Sequence, residues 1–521
     1  MSATLAELLR DQSEINGDRF ALVSPDSRAM TYRKLWHQMR YTAECLASLG
    51  LGRGDRVALL LANGAEQAVA ILGTACLCTA VPMNPRQKPA ELGAYSKRLG
   101  IKALICSPEF VEAMTPVALA AGMPCLVLKP RKAVGTGSFE LEEVDFRDFR
   151  NDSSSTGDLP RMPEPADLAV LLQTSGTTSE AKFVRYTHAN LMEFASDIAG
   201  RLGLGNEDRC LNVMPFYHSH GMFVALLGSL RSGGSVICTE GLFYVPDFFK
   251  WLRVLRPTWY TAVPTVHQSI LAKASDHAPE IASCPLKLIR SASSALPAKT
   301  MLGLEAAFFA PVIETYGLTE VVGWIAATPL PPLARKPGSA GRIKPGGPVV
   351  LDREDRPLPW GATGEIAVPE RCMTGYESAD GVFLVPARNG WFRTGDLGYI
   401  DSEGYLFITG RVKEMINRGG EKIAPQEVDD ALLRHPQIRE AVAFAMPAEI
   451  LGEDVGAAVV LVPGSGLDEK QIRSFVSTHL AAFKVPKKVF ILSELPKGHT
   501  GKYARLEMAK VLNLPNPQSA A

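Results

Sequence analysis

The chain has 521 residues, more than one core holds at the ~100–200 residues typical of a domain, so at least two domains are expected. Hydrophobic residues make up 46% and Gly and Pro lie near ordinary usage, which excludes a fibrous or disordered chain and supplies large buried cores. Lys+Arg and Asp+Glu both number 55, so there is no net basic field to recruit nucleic acid or anionic lipid, and any anionic substrate must be held by a local site.

The first segment, MSATLAELLRDQSEINGDRF, has acidic residues early and no basic stretch followed by an apolar one, so it does not read as a signal peptide. No window of about 18 residues is apolar enough to span a bilayer, and the final NPQSAA is no targeting tripeptide. A soluble cytoplasmic protein with no membrane and no nucleic-acid partner is expected. The nine Cys include no CxxC pair, and several sit in apolar runs such as IKALICS and GGSVICT, so they read as buried free thiols.

Short apolar runs then alternate with helical patterns. RVALLLAN (56–63), KALICS (102–107), PCLVLK (124–129) and DLAVLLQ (167–173) read as buried strands, and AEQAVAILGTACLC between the first two has helical spacing. This predicts an α/β fold with parallel-rich sheets layered with helices. Residues 131–166 turn charged, Ser-rich and Pro-rich, and read as a surface connection with a short edge strand. Residues 328–347, TPLPPLARKPGSAGRIKPGG, read as a crossing between subdomains. WFRTGDLGYIDSEGYLFITG alternates like a β-meander turning at DSEG. Beyond it the helix–strand–strand–helix pattern of APQEVDDALLRHP, EAVAFAMP, GAAVVLVPG and EKQIRSFVSTHL predicts a small α+β unit. The expected domains are 1–410 and 411–521.

The first segment with chemistry is TSGTTSEAK at 174–182, directly after a strand. Thr174, Ser175, Gly176, Thr177, Thr178 and Lys182 offer hydroxyls, backbone N–H groups and a point charge suited to a polyphosphate, although GxxxxGK[ST] is absent. Four further motifs follow: ETYGLTE (314–320), WFRTGD (391–396), GRVKEMINRGGEKI (410–423) and LPKGHTGK (495–502). A Ser/Thr-rich turn, a hairpin turn or a solvated charged loop could explain any one of them, but not all five in this order.

Together these motifs resemble the signatures of the acyl-adenylate-forming superfamily, in its acyl-CoA synthetase branch, over roughly residues 30–505. The phosphate loop departs from the family form TSGTTGxPKG at Ser179, Ala181 and Phe183. The resemblance implies ATP, Mg²⁺ and coenzyme A. It places Thr319 at the α-phosphate, Glu320 on Mg²⁺ and Lys502 in the adenylation site, and it makes Lys413 an interdomain hinge. It implies that Asp396 holds the ribose hydroxyls and that Arg411 reaches ribose or phosphate. It assigns Ser294, Ala295, Glu314, Thr315, Tyr316 and Gly317 to the nucleotide, and Arg418, Gly419 and Gly420 to the pantetheine side. The small C-terminal domain is expected to rotate about Lys413 between the two half-reactions.

The acyl pocket is expected to be polar. MPFYHSHG contributes His218 and His220, TAVPTVH contributes His267, and RSASSAL contributes Ser291 and Ser293, where a fatty-acid tunnel would be apolar. These segments and LAAFKVPKKVF resemble oxalate–CoA ligases, so oxalate is the first candidate. His218 also occupies the place of a gate toward the thiol channel, and His188 in YTHAN reads as the cap of a helix. The alternatives are transfer to a carrier protein, an amine or a small inorganic nucleophile, and a relative that has lost catalysis.

Overall fold

The computed structural model describes residues 2–144, 162–174, 182–241, 243–344, 346–372, 374–378, 381–383, 387–497 and 503–514. Among these, two nine-stranded sheets form the bulk of the molecule. The first sheet runs, edge to edge, through Arg342–Ile343, Ala326–Ala327, Val312–Tyr316, Leu288–Ala292, Trp259–Ala262, Arg209–Asn212, Ser235–Cys238, Phe20–Ser24 and Ser27–Thr31. Its central strands pair parallel. The second sheet is centred on the parallel strands Thr79–Pro82, Arg56–Leu60 and Ile101–Cys106. On one flank of this centre, Leu168–Thr174, Lys182–Thr187 and Tyr376–Ser378 run side by side, the last two pairs antiparallel. The expected α/β architecture with parallel-rich sheets is what these elements form.

Strands buried on both faces read as continuous apolar runs, which is why RVALLL and KALIC could be found without any alternation. One core, including Val57, Leu59, Val170, Cys210, Trp259 and Leu288, fills the space between the sheets with the helices Tyr32–Ser48, Ala65–Ala75 and His188–Arg201. A second core seals the outer face of the first sheet under Val245–Leu255 and Ala298–Phe308. A third seals the second sheet under Pro89–Leu99 and Val111–Ala120. Parallel strands with their helices leave the carboxyl edges of the sheets open, where open α/β sheets bind ligands.

The charged stretch after residue 130 holds an edge strand, Phe139–Glu143, antiparallel to Cys125–Pro130; the remainder of that stretch from 145 to 161 lies outside the described residues. Trp391–Ile400 and Leu406–Arg411 form the expected meander, in an antiparallel four-stranded sheet with Val349–Leu351 and Gly364–Pro369. The C-terminal unit wraps the helices Pro425–Leu433 and Glu469–Ser477 against the strands Ile438–Ala448, Gly452–Leu461 and Lys488–Leu492. Asp468 starts the second of these helices by accepting the Gln471 N–H, and Gln471 returns a bond to the Asp468 N–H.

Seven of the nine cysteines are buried, and all nine are free thiols. Among the described residues no helix is long and apolar enough to cross a membrane. His188 does not cap its own helix: Thr187 does so with Asn190. Instead His188 Nδ1 accepts the N–H of Leu5 at 3.2 Å, closing the first turn of the distant helix Leu5–Ile15.

Candidate active site

Tyr316 ends the strand Val312–Tyr316 at the carboxyl edge of the first sheet. Its hydroxyl donates to Oδ2 of Asp396 at 2.6 Å, while Nε of Arg411 donates to Oδ1 at 2.6 Å. Asp396 and Arg411 face each other across the meander, so the turn at 401–404 sets their register. Burial and the Asp396 charge push the Tyr316 phenol well up, which keeps it a donor. Asp396 is buried, and its charge is balanced by Arg411. With two oxygens and about four lone-pair sites, the carboxylate still has capacity to accept hydroxyls of a ligand.

The second group lies around the phosphate-loop hairpin. Thr174 and Lys182 are register partners at its mouth, and Ser175, Gly176, Thr177 and Thr178 lie outside the described residues. The Lys182 ammonium sits 4.8 Å from the centroid of the Tyr376 ring. The Tyr376 hydroxyl donates to Oε1 of Glu320 at 2.6 Å, and Tyr186 donates to the Thr319 carbonyl. The loop bearing Thr319 and Glu320 is thereby tied to the hairpin through two tyrosines. Mg²⁺ usually takes one or two carboxylates and completes its shell with phosphates and water. Glu320 keeps its second oxygen out of the Tyr376 bond, and no cluster of three or more His, Cys, Asp or Glu suited to a metal occurs among the described residues. The donor set therefore fits a cation shared with a polyphosphate.

A third group is buried beneath the same edge. His220 opens a π-helical segment, His220–Leu227, a form frequent at functional sites. Its Nε2 lies 2.6 Å from Thr261 Oγ1 and 3.0 Å from Nη1 of Arg290, and its Nδ1 lies 3.2 Å from Ser293 Oγ. Arg290 also donates through Nη2 to Thr315 Oγ1 at 2.5 Å. Burial pulls the Arg290 guanidinium down, to about 9, so it remains charged at neutral pH. His218 is half-buried and packs against the Tyr217 ring at 4.5 Å. Ser293, Ser294 and Ala295 form an exposed loop, with Ser293 at φ 77°, a left-handed conformation uncommon outside glycine.

Other candidates fall elsewhere. His267 is fully buried, bonding the Tyr260 hydroxyl at 3.1 Å and the Arg290 carbonyl at 3.2 Å; burial lowers it to about 4, so it is a neutral anchor of its helix rather than a pocket group. Ser291 is buried on the face of its strand opposite Arg290, and its hydroxyl has no partner among the described residues. Glu314 is buried, accepts the Leu296 N–H at 2.9 Å and is raised by burial to about 8, so its neutral carboxyl braces the 293–296 loop from behind. Gly317 is exposed beyond Tyr316. Lys413 is exposed on a one-turn helix, Arg418 pairs with Asp454 at 2.7 Å, and Gly419 and Gly420 turn with φ of 58° and 101°. Lys502 lies outside the described residues.

Sequence reading missed Arg290, Thr261, Tyr186 and Tyr376. Arg290 carried a signal: it is the one charge inside the strand LIRSA, Leu288–Ala292. Tyr376 carried none, because only the pairing of its strand with Lys182–Thr187 brings it to Glu320.

Residues 9–376 match the family described as AMP-binding enzyme, and residues 427–502 match the AMP-binding enzyme C-terminal domain. The chain is 36% identical over 523 residues to an oxalate–CoA ligase of Arabidopsis thaliana, covering 98% of each. It is 35% identical over 511 residues to a sulfoacetate–CoA ligase of Cupriavidus necator, covering 97% of each. The crystal structure of ATP-bound MatB from Rhodopseudomonas palustris superposes with a TM-score of 0.82 at 27% identity, covering 98% of each chain.

Proposed function

The chain belongs to the AMP-binding enzyme family as a carboxylate–CoA ligase, and from that premise we propose that its acyl substrate is a small acid with a second anionic group, oxalate first. One observation carries the reading. The polar cluster of His220, Thr261 and Arg290 joins the nucleotide-side motif directly at Thr315, one residue before Tyr316. An acyl group beside it would meet imidazole, hydroxyl and guanidinium groups rather than an apolar tunnel. The names of the relatives point the same way, since oxalate and sulfoacetate are both two-carbon acids with a second anionic group.

The reaction has two steps. A carboxylate oxygen attacks the α-phosphorus of ATP and pyrophosphate leaves, giving the acyl-adenylate. The thiol of CoA then attacks the acyl carbon, giving the thioester, AMP and a proton. In our reading Asp396 and Arg411 hold the ribose, and Thr174, Thr319 and Lys182 hold phosphate oxygens together with the loop hydroxyls of Ser175, Thr177 and Thr178. Glu320 would hold Mg²⁺, which supplies charge neutralisation on the phosphates. Lys502 would neutralise charge between the carboxylate and the α-phosphate. A CoA acceptor fits the relatives' names; no observation favours a carrier protein, an amine or an inorganic nucleophile.

The test is ATP–pyrophosphate exchange, then CoA-dependent AMP release, with oxalate, sulfoacetate, malonate, aromatic acids and short fatty acids. The small dianionic acids are expected to support both. Turnover restricted to hydrophobic acids would overturn the polar-pocket reading.

A further inference from the structure

We propose that Arg290 is a positioning residue that acts through His220, fixing its tautomer so that the Ser293 hydroxyl is left as a donor selecting acids with a second anionic group. This rests on the small-dianion reading above and names the device that would enforce it.

Arg290 is 3% exposed, in the middle of a strand of the first sheet, and no carboxylate pairs with it among the described residues. A buried guanidinium ordinarily faces an anion, because an uncompensated buried charge is costly. Here its Nη1 meets His220 and Thr261, its Nη2 meets Thr315, and its Nε has no partner among the described residues. The positive charge is therefore held by neutral acceptors just under the exposed 293–295 loop.

The direction of the hydrogen bonds follows from the chemistry of arginine. A guanidinium has donors only, so Nε2 of His220 must accept and cannot carry a proton. The Thr261 hydroxyl, 2.6 Å from the same nitrogen, donates to it as well. The proton of a neutral imidazole then sits on Nδ1, which faces Ser293 Oγ at 3.2 Å. Ser293 accepts from His220, and its own hydroxyl hydrogen is released toward the solvent-facing side of the loop. Without Arg290 the imidazole could carry its proton on Nε2, and Ser293 would have to donate inward.

The backbone fits this role. Ser293 is exposed at φ 77°, although it is not glycine, and the loop is braced from behind where Glu314 accepts the Leu296 N–H. A strained residue bonded to buried His220, in a loop that buried Glu314 anchors at Leu296, is a pre-set group rather than a loose turn. A chain of donors running from a buried cation through imidazole to hydroxyl is polarised toward an acceptor at its end. An acid with a second anionic group supplies that acceptor while its reacting carboxylate stays free for the α-phosphorus. An acid with only an alkyl tail leaves the donor unsatisfied and is disfavoured.

The experiment compares Ser293→Ala, Arg290→Met and Arg290→Lys with the wild-type enzyme. AMP formation is followed with oxalate and sulfoacetate as dianionic acids and acetate and propionate as monoanionic ones, and the His220 ring nitrogens are observed by ¹⁵N NMR. Ser293→Ala and Arg290→Met are expected to raise KM for the dianionic acids by about tenfold or more, the usual effect of losing a bond to a charged group, and Ser293→Ala, which does not touch Thr315, should leave KM for ATP within about twofold. The preference over monoanionic acids should narrow, and Arg290→Lys, which keeps a donor facing Nε2, should recover part of it. The wild-type spectrum should show His220 neutral with the proton on Nδ1. A wild-type proton on Nε2, or unchanged dianion KM in Ser293→Ala, overturns the proposal. Ser293 is exposed, so that variant decides even where Arg290→Met does not fold. A wild-type enzyme that uses no small dianionic acid refutes the substrate reading instead, and the NMR measurement then still decides the Arg290–His220 relay.

Discussion

The hydroxyl of Tyr376 donates to Oε1 of Glu320 at 2.6 Å, while the face of the same ring carries the ammonium of Lys182 at 4.8 Å. One side chain thus connects the residue proposed to hold the cation with the residue at the mouth of the phosphate loop. Burial and the Glu320 charge push the Tyr376 phenol well up, so it serves as a donor throughout the working pH range.

Tyr376→Phe separates these two contacts. Phenylalanine keeps the ring under Lys182 and removes only the bond that orients Glu320. The rate of adenylate formation is expected to fall about tenfold, near the ~1.5 kcal/mol of a hydrogen bond to a charged group. The Mg²⁺ concentration needed for half-maximal rate should rise. Mg²⁺ titrations of ATP–pyrophosphate exchange measure both, and an unchanged rate and Mg²⁺ dependence would remove Tyr376 from the site.

The contrast between Asp396 and Tyr376 shows what the sequence made legible. Asp396 and Arg411 lie on consecutive strands joined by a short turn, so two neighbouring motifs on one hairpin carry the partners. Buried parallel strands such as Arg56–Leu60 and Ile101–Cys106 were equally plain, because burial on both faces leaves an uninterrupted apolar run. Tyr376 and Glu320 meet only because a distant strand adds to the edge beside Lys182–Thr187, and Arg290 reaches the π-helical His220 from a strand of the first sheet 70 residues on. Such partners depend on strand order, which no local pattern encodes. His267 and Glu314 show the converse: polar residues next to functional motifs read as site groups, yet their neighbours in the fold hold them as buried braces.

Glu314 gives a prediction about pH. Its folded value of about 8 stands above the ordinary 4.5, so the folded state favours the protonated carboxyl. The associated stability is fully present below the unfolded value near 4.5 and is lost as pH rises through about 8. Glu314→Gln keeps the oxygen that accepts the Leu296 N–H and cannot ionise. It is expected to come close to the wild type near pH 5 and to exceed it by several kcal/mol, on the order of 5, above pH 8. His188 and His267 act on the acid side: both are lowered to about 4, so their contribution is present above about 6.5 and lost as pH falls through about 4. Urea unfolding of the two proteins across this range tests the sign, and a Glu314→Gln curve parallel to the wild type would contradict it.

Gly221 fixes the backbone of the first turn of the π-helical segment His220–Leu227. A Cβ there would lie 2.3 Å from the Pro215 carbonyl oxygen and 2.8 Å from that of Met214, both main-chain atoms that cannot rotate away. Gly221→Ala is expected to destabilise the protein by about 2–4 kcal/mol. It should also displace His218 and His220, so that KM for the acid rises more than KM for ATP. Thermal unfolding and the two KM values report these effects separately, and a variant with wild-type stability would show that the turn tolerates a side chain.

Lys502 tests the proposed division of labour between the two domains. The residues just after it are well anchored: Tyr503 bridges to Lys497 and bonds Gln268 at 3.1 Å and Glu440 at 3.2 Å, while Arg505 pairs with Asp429 at 2.7 Å and Glu414 at 3.1 Å. Gln268 belongs to the helix Pro264–Leu271 beside the acyl-side cluster, so this end of the C-terminal unit lies against the large domain. Glu414 directly follows the expected hinge residue Lys413, so residues 503–505 are tied through Arg505 to the point about which the unit would turn. Removing the Lys502 ammonium should cost adenylation at least about 100-fold, the scale of losing one transition-state donor. The thioester step should survive, because in our reading rotation about Lys413 has by then withdrawn Lys502 and presented the face bearing Arg418, Gly419 and Gly420. Supplying Lys502→Ala with synthetic acyl-adenylate and CoA measures that step alone, with an expected rate within about threefold of wild type. Equal loss of both half-reactions would mean that Lys502 stays in the site throughout, and the rotating-domain account would have to be abandoned.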